Sequence, residues 1–295
     1  MVRKLWGASL VVLALVAGVA PNAIAAGAPT PNYVALGDSY TAGPLIPNQI
    51  EPYGCLRSDH NYPHLMGPSL GLELRDVSCS GARTDHMTTT QGVTPGPNPP
   101  QLDAINAGTQ IVTLGIGGND IGFSSIARDC AALDPTTTPC QDKYVVNGVD
   151  ELSQRIAETG PKVAAVLQEI HVRAPAARVF VVDYLPILPE SGIGCWPLLP
   201  IAFNDVPYLR DKEKELNAML ATQAGANGAT YVDSYTPSIG HDSCQPPPLR
   251  WVEPAVPASP AAPVHPNLLG EMAYALIVQA AIENRPPPTF GPLPL

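Results

Sequence analysis

The sequence predicts an α/β fold in which helices cover both faces of a largely parallel sheet. Short apolar runs rich in β-branched residues alternate with helical patterns, and most of the runs end in Gly, Asp or Ser. This alternation is typical of βαβ units, whose strands are parallel and whose helices pack on the sheet. Ligands of such sheets bind beyond the carboxyl ends of the strands. The residues that directly follow each apolar run are therefore the candidates for chemistry.

Five segments are predicted as buried strands by their apolar, β-branched composition. They are residues 33–36, 72–77, 111–116, 179–182 and 230–232. Apolar positions at helical spacing predict three longer helices. These cover residues 152–170, 209–222 and 268–278, and Gly160-Pro161 is expected to kink the first of them.

The first residues have the composition of an export signal. Arg3 and Lys4 precede an apolar run at 10–19, and small residues offer a cleavage site that ends at Ala25. The apolar run is shorter than the roughly 20 residues that a membrane-spanning helix needs. We therefore expect cleavage near Ala25, a secreted protein that occupies residues 26–295 as one domain, and no stable insertion in a membrane.

The charge of the chain bears on its partners. The formal net charge is −10, and loss of Arg3 and Lys4 with residues 1–25 makes it −12. A negative protein repels nucleic acid and offers no basic patch to anionic lipids. The charge therefore argues against a nucleic-acid partner, and we expect a monomer.

Six cysteines in an exported chain indicate disulfides. The sequence contains no CxxC pair, so zinc ligation is not indicated. Because the number of cysteines is even, full pairing leaves no free thiol for catalysis. Six cysteines allow fifteen pairings. Pairing of sequence neighbours is favoured because each bridge would then close one loop region. It joins Cys55 to Cys79, Cys130 to Cys140, and Cys195 to Cys244.

A serine follows the first predicted strand. In Gly37-Asp38-Ser39 the glycine allows a tight turn, so that Ser39 would face the crevice at the carboxyl edge of the sheet. A helix that begins here would add unpaired backbone N–H groups and its positive dipole end, which favour developing negative charge. The alternative is that Asp38 and Ser39 only cap that helix. An isolated Asp-Ser pair would favour capping.

Three further segments carry small or hydrogen-bonding residues at comparable places. They are Ser78-Cys79-Ser80-Gly81-Ala82, Gly115-Ile116-Gly117-Gly118-Asn119-Asp120 and Ala262-Pro263-Val264-His265-Pro266-Asn267. The Asn119 amide can donate hydrogen bonds, whereas a dinucleotide-binding turn would require glycine where Asp120 stands. A lone histidine is usually structural. A loop ahead of the last helix, however, can return His265 to the crevice beside the first strand.

The other histidines favour structural roles. His60 and His64 are four residues apart beside Asp59, a spacing that suits two metal ligands on one helical turn. Pro63 argues against a helix there, so we expect no metal site. The same structural interpretation is preferred for His86, His171 and His241. Residues 250–253 either line the substrate pocket or anchor the proline-rich loop that contains them.

The four segments resemble, in content and order, the signature blocks of the GDSL, or SGNH, hydrolases. The resemblance runs from about residue 33 to about residue 281, and the spacing of the six cysteines is similar to that of secreted actinobacterial lipases and esterases of this family. It implies a flavodoxin-like, three-layer sandwich with about five parallel strands, in a single domain.

The resemblance also implies roles for individual residues. Ser39 would be the nucleophile and His265 its base. The backbone N–H groups of Ser39 and Gly81, with the side-chain amide of Asn119, would form the oxyanion hole. An acyl-serine intermediate would then be hydrolysed by water. This chemistry requires no metal and no organic cofactor.

The histidine segment departs from the usual family pattern, which has Asp three residues before the catalytic histidine. This sequence has Ala262 at that position. Some similar members use a Ser-His dyad in which a main-chain carbonyl orients the imidazole. The carbonyl of Ala262 is therefore the predicted partner of His265. A distant carboxylate, Asp205 or Asp242, is the alternative.

These expectations favour a lipase or esterase that acts on acylglycerols, phospholipids or soluble short-chain esters. A deacetylase of carbohydrates or other polymers, with the same mechanism, would instead have a shallow, polar site. A third hypothesis is a non-catalytic cell-surface binding protein on the same fold. The presence of Ser39, Asn119 and His265 argues against it.

Overall fold

The computed structural model describes residues 1–2 and 32–290 of the 295-residue chain. The predicted export signal and its cleavage site at Ala25 lie outside these residues. Of the helices in the part described, none is both long and apolar enough to cross a membrane.

Nine strands and seven α-helices occur in the described residues. The strands are β1 (Tyr33–Gly37), β2 (Gln49–Ile50), β3 (Arg57–Ser58), β4 (Leu74–Asp76), β5 (Ile111–Gly115), β6 (Val145–Val146), β7 (Val149–Asp150), β8 (Arg178–Val182) and β9 (Thr230–Val232). The α-helices are α1 (Ser39–Ala42), α2 (Tyr62–Met66), α3 (Phe123–Asp129), α4 (Pro139–Tyr144), α5 (Glu151–Arg173), α6 (Asp205–Ala226) and α7 (Leu268–Ile282). Short 3₁₀ helices cover Tyr53–Cys55, Gly67–Leu70, Thr84–Met87, Gln101–Ala104 and Thr236–Ser238.

Five of the strands form a parallel sheet in the order β4-β1-β5-β8-β9. The second strand of the sheet, β4, lies on one side of β1, and the later strands β5, β8 and β9 lie on the other side. The order in which strands are added to the sheet therefore reverses between β1 and β5. Tyr33 pairs with Ile111 at one end of this contact and Gly37 with Gly115 at the other. A crevice at the carboxyl ends of β1 and β5 is where an open α/β sheet binds its ligand.

Helices cover both faces of the sheet, as the sequence predicts. Helix α5 packs against α6, and α2 packs against α7. The side chain of Asp150 caps α5 by accepting hydrogen bonds from the backbone N–H groups of Leu152 and Ser153. The buried face of this helix repeats every three or four residues, at Leu152, Ile156, Val163, Leu167 and Ile170. The predicted three-layer α/β fold is confirmed.

Proline occurs inside one helix and in the first turn of another. Helix α5 runs from Glu151 to Arg173 as one element with Pro161 inside it. The prediction that Pro63 excludes a helix is wrong, because α2 spans Tyr62–Met66. Proline is tolerated in the first turn of a helix, where the missing N–H has no intrahelical partner in any case. The Asn61 side chain caps this turn by accepting from the His64 N–H.

The six cysteines form three disulfides. They join Cys55 to Cys79, Cys130 to Cys140, and Cys195 to Cys244, so each bridge links sequence neighbours. The first bridge ties the Gly81 segment to the loop before α2. The third closes a loop whose ends are 49 residues apart in sequence. The first bridge thus fastens the segments that follow β1 and β4, and the third fastens the segments that follow β8 and β9.

Candidate active site

Ser39 is the first residue of α1 and directly follows the end of β1. Asp38 is the N-cap of this helix, and its side chain accepts from the Tyr40 N–H. Gly37 is required for space, because a Cβ there would lie 2.2 Å from the Thr41 Oγ1. Capping and exposure of the serine at the crevice therefore occur together. The two interpretations of the Asp-Ser pair are compatible.

The structure brings Ser39 and His265 together across 226 positions of sequence. The distance from His265 Nε2 to Ser39 Oγ is 2.8 Å. The other ring nitrogen, Nδ1, lies 2.8 Å from the carbonyl oxygen of Pro263. Because a carbonyl oxygen only accepts, Nδ1 carries the hydrogen, and the neutral ring has Nε2 free to accept the proton of Ser39.

The carbonyl that meets Nδ1 is not the one predicted from the family spacing. It belongs to Pro263, two residues before the histidine, instead of to Ala262. Val264 has a left-handed φ of 61°, and this turn carries the Pro263 carbonyl back against the ring. The Tyr40 hydroxyl fixes the turn by donating to the Val264 carbonyl at 2.9 Å.

Neither distant carboxylate contacts His265. Asp205 accepts from the backbone N–H groups of Cys140 and Gln141, at the start of α4. Asp242 accepts from the backbone of Cys244 and the side chain of Gln245. Within residues 32–290, no carboxylate forms a hydrogen bond or an ion pair with the His265 ring.

The segment at 250–253 anchors the histidine loop instead of lining a pocket. Glu253 is fully buried and pairs with Arg250 at 3.0 Å. Its backbone N–H donates to the His265 carbonyl, and its carboxylate accepts from the side chain of Asn267, the N-cap of α7. The histidine thus lies between a buried ion pair and a capped helix. The anchoring alternative for residues 250–253 is therefore the one that the contacts support, although no pattern singled out Glu253 as the residue that meets the histidine loop.

The three predicted oxyanion donors lie on three neighbouring loops. In the described part of the chain, the backbone N–H groups of Ser39 and Gly81 have no hydrogen-bond acceptor. Gly81 has a φ of +78°, which favours glycine. The Asn119 amide donates one hydrogen to the Ala82 carbonyl at 2.9 Å, and its second hydrogen remains for a ligand.

Asp120 links the two loops that carry Gly81 and Asn119. Its carboxylate accepts from the Thr84 N–H at 3.0 Å and from the Thr84 hydroxyl. The acid that excludes a dinucleotide-binding turn therefore has a structural role. It holds the Gly81 loop at a fixed distance from the end of β5.

A cavity of about 410 Å³ opens beside Ser39. Asp38, Ser39, Asn119 and Val264 line one side, and the rest of the lining is mostly apolar, with Arg128, Lys212 and Glu213 as its charged members. The aliphatic part comes from α3, α5, α6 and the loop after β8, and includes Ile126, Ala127, Leu152, Leu188, Leu199 and Leu216. Such a surface suits a hydrocarbon chain, because its burial removes apolar surface from water.

Burial determines the electrostatics of the pair. It lowers the pKa of His265 below its ordinary value of 6.5, while the hydrogen bond to Pro263 opposes this shift. Burial raises the pKa of Asp38 to about 7, against hydrogen bonds from Tyr184 and Tyr40. Because burial disfavours the charged imidazolium, His265 is held in its neutral form, which is the form that accepts a proton.

We expect kcat/KM to fall on acidification as His265 becomes protonated, with an apparent pKa below 6.5 for this step. The protonated ring has no acceptor for the Ser39 proton, so activity is retained above the pKa and lost below it. Rates over a pH series would test this. Asp38→Asn removes the neighbouring carboxyl, whose pKa is about 7, and the acid limb that persists in this variant belongs to His265. If the acid limb of this variant had an apparent pKa above about 7, a carboxylate would have to stabilise the protonated His265 ring. That result would contradict the absence of a carboxylate partner.

The other histidines lie away from this crevice. His60 contacts Asp59, and His64 contacts Asn61 at 2.7 Å. In residues 1–2 and 32–290, no group of three or more His, Cys, Asp or Glu side chains is arranged to hold a metal ion.

Tyr184 is a residue at the crevice that the sequence analysis missed. It follows β8 by two positions, and its hydroxyl donates to Asp38 Oδ2 at 2.6 Å. The rule that chemistry lies just after each strand applies equally to this strand end. The tyrosine has no neighbouring motif, so the sequence provided no second signal for it.

Known proteins with similar sequences include lipases and an esterase. The sequence model of the GDSL-like lipase/acylhydrolase family matches residues 35–273. The chain is 40% identical over 272 residues to Lipase 2 of Streptomyces coelicolor, which covers 89% of this chain and 90% of that protein. It is 30% identical to an esterase of Streptomyces scabiei over 83% of this chain and 82% of that one.

Two solved structures have the same fold. An extracellular lipase from Streptomyces rimosus superposes with a TM-score of 0.68 at 26% identity, over 84% of this chain and 98% of that chain. A phospholipase A1 from Streptomyces albidoflavus superposes with a TM-score of 0.70 at 22% identity, over 85% and 99% of the two chains. At that lower identity the likeness concerns the fold.

Proposed function

The chain belongs to the GDSL-like lipase/acylhydrolase family of carboxylic ester hydrolases, and we propose that it is an exported lipase or esterase with a Ser39-His265 dyad. One observation carries the proposal: Ser39 Oγ lies 2.8 Å from His265 Nε2 at the side of a largely apolar cavity. A nucleophile within reach of a correctly protonated base is the arrangement that acyl transfer requires.

The first half of the reaction forms an acyl-enzyme. Ser39 Oγ attacks the ester carbonyl carbon, and its proton passes to His265 Nε2. The Pro263 carbonyl holds the ring through the Nδ1 hydrogen during this transfer. Collapse of the tetrahedral intermediate breaks the ester C–O bond, and the proton on Nε2 goes to the leaving alcohol.

The second half releases the acid. Water attacks the acyl-serine, His265 takes the proton of the water, and the Ser39 oxygen leaves with that proton. Both tetrahedral intermediates carry an oxyanion, which the N–H groups of Ser39 and Gly81 and the amide of Asn119 would stabilise. Removal of one such donor typically costs about 10²–10³ in kcat.

The apolar lining supports an acyl chain as the part of the substrate that fills the cavity. Acylglycerols, phospholipids and soluble esters all present such a chain. A site built for an acetyl group on a sugar would instead be shallow and polar. Within the family, the cavity therefore favours a lipolytic substrate.

Covalent labelling tests the proposed function. We expect an alkyl fluorophosphonate to add one phosphonyl group to the native protein, with release of fluoride. Peptide mapping should place the adduct on Ser39, and heat-unfolded protein should not react. A folded protein that hydrolyses a chromogenic ester yet remains unlabelled at Ser39 would contradict the proposal that Ser39 is the nucleophile.

Narrowing the cavity is expected to shift acyl preference. Ala127 lines the cavity from α3, so Ala127→Phe should lower kcat/KM for long acyl esters relative to short ones by about tenfold or more, since steric overlap in a packed site is costly. A p-nitrophenyl ester series measures this ratio. Ser124→Phe, at an exposed position of the same helix, is the control and should leave the ratio unchanged. Equal ratios in both variants would place the acyl chain elsewhere.

Export and domain boundaries are part of the proposal. Three disulfides suit an oxidising compartment, and residues 1–25 have the composition of a signal peptide. We propose that residues 26–295 form the mature, single-domain protein. Intact mass of protein recovered from culture medium is expected to match a chain that begins at Ala26.

A further inference from the structure

We propose that the Tyr184 hydroxyl is a positioning residue that holds the loops of Ser39 and Asn119 in register; this rests on the proposed function. Tyr184 comes from the end of β8 and is outside the four sequence segments that carry the site. Two hydrogen bonds meet at its oxygen. It accepts from the Gly118 N–H at 2.8 Å and donates to Asp38 Oδ2 at 2.6 Å.

The two partners of Tyr184 are the residues directly before two predicted oxyanion donors. Asp38 precedes Ser39, and its other oxygen accepts from the Tyr40 N–H at 3.0 Å, which orients the first turn of α1. Gly118 precedes Asn119 and is held by its own N–H. One phenolic oxygen therefore sets the relative position of both loops.

Only a hydroxyl group satisfies both partners. The Gly118 N–H can only donate, and an ionised Asp38 can only accept, so the atom between them must accept from one and donate to the other. Asp38 is 1% exposed and Tyr184 is 6% exposed, so water has little access to replace the link. Gly118 is also close to the ring, because a Cβ there would lie 3.1 Å from the Tyr184 oxygen.

The ring of Tyr184 connects the same point to the histidine. It packs edge-on against Tyr40, with centroids 5.0 Å apart. Tyr40 in turn contacts the His265 ring at 5.2 Å, and its hydroxyl fixes the Val264 carbonyl. These ring contacts remain in Tyr184→Phe, so this variant removes the hydrogen-bonded link alone.

Tyr184→Phe is expected to lower kcat about ten- to hundredfold, because small misplacement of pre-aimed groups is costly. KM should change less than about twofold, since the Tyr184 ring, which lines the acyl cavity, remains in this variant. An alkyl trifluoromethyl ketone gives a second measure. Ser39 adds to its carbonyl and the proton passes to His265, leaving an oxyanion in the hole. Its inhibition constant should rise by the same factor as kcat falls, whereas binding of the product acid should not change.

Tyr231 provides a matched control. Its hydroxyl, from the middle of β9, also donates to a buried aspartate, Asp183 Oδ2, at 2.6 Å. Burial raises the pKa of Asp183 to about 7, as it does for Asp38. Tyr231→Phe removes an equivalent bond that touches none of the predicted oxyanion donors. The Tyr231→Phe variant should therefore have the kcat and the inhibitor affinity of the wild type, even if its melting temperature falls as much as that of Tyr184→Phe.

The assays are run at about pH 8, which is above the Asp38 pKa of about 7, so that this carboxyl is mostly ionised. Asp38→Asn should also lower kcat, and the double variant with Tyr184→Phe should lose little more than either single change, because both break one link. Multiplicative losses, or equal kcat in Tyr184→Phe and Tyr231→Phe, would overturn the inference. Should Tyr184→Phe not fold, Asp38→Asn with a wild-type inhibition constant for the ketone would overturn it. A wild-type protein that hydrolyses no ester would refute the proposed function instead.

Discussion

Replacing Ser39 by alanine is expected to lower kcat by about 10⁶-fold, because the nucleophile and its base act as a unit. The Ser39 Oγ is the atom within 2.8 Å of the base, and alanine leaves no group there to be acylated. Initial rates with a chromogenic ester, on protein with an unchanged melting temperature, measure this loss. Residual turnover above about 1% of wild type would show that another group is the nucleophile.

Ser234→Ala is the matched control for this change. Ser234 is fully buried, and its hydroxyl has no hydrogen-bond partner among the described residues. Loss of that oxygen should leave kcat unaltered. A fall in activity in both variants would point to a general effect of serine removal on the fold.

Replacing His265 by alanine is expected to lower kcat by a comparable factor, about 10⁵ to 10⁶. Without the imidazole, nothing accepts the Ser39 proton or returns it to the leaving alcohol. The double variant Ser39→Ala, His265→Ala should be no slower than either single variant. Single-turnover measurements with a chromogenic ester would separate this loss of acylation from slow product release. Independent, multiplicative losses would argue against a shared proton transfer.

The dyad predicts that the distant carboxylates are dispensable for chemistry. Asp205→Asn and Asp242→Asn are expected to keep kcat within about threefold, because the Pro263 carbonyl is the partner of Nδ1. Some stability will be lost in both, since each carboxylate accepts backbone hydrogen bonds, worth about 1–3 kcal/mol when broken in a buried site. A folded variant of either residue whose kcat falls a hundredfold would restore a triad.

The fold could be predicted from sequence because its signals are local. Each of the apolar runs at 33–36, 111–116, 179–182 and 230–232 lies within or overlaps a strand of the sheet. Continuous apolar runs and period-3.6 patterns depend only on neighbouring residues, which is why they can be recognised without tertiary information. The error at Pro63 arose from position within the helix, because proline is compatible with the first turn and not with later ones.

The candidate site was partly predictable for the same reason. Small or hydrogen-bonding residues after apparent strands indicated Ser39, Gly81 and Asn119 as candidates, and the resemblance to the family implied their roles. The carbonyl behind His265 was not found, because it depends on the left-handed φ of Val264. Positive φ is uncommon for a β-branched residue, and no local pattern predicts it.

The sequence alone determined the alternation of strands and helices, the even set of cysteines, and the four segments that carry the proposed catalytic residues. Tertiary structure decided which atoms meet: Pro263 behind His265, Tyr184 between Asp38 and Gly118, and the apolar cavity beside Ser39. These contacts depend on dihedral angles and on side chains as many as 226 positions apart. A periodic pattern specifies which face of an element is buried, whereas a hydrogen bond of 2.8 Å requires that both of its elements are already packed.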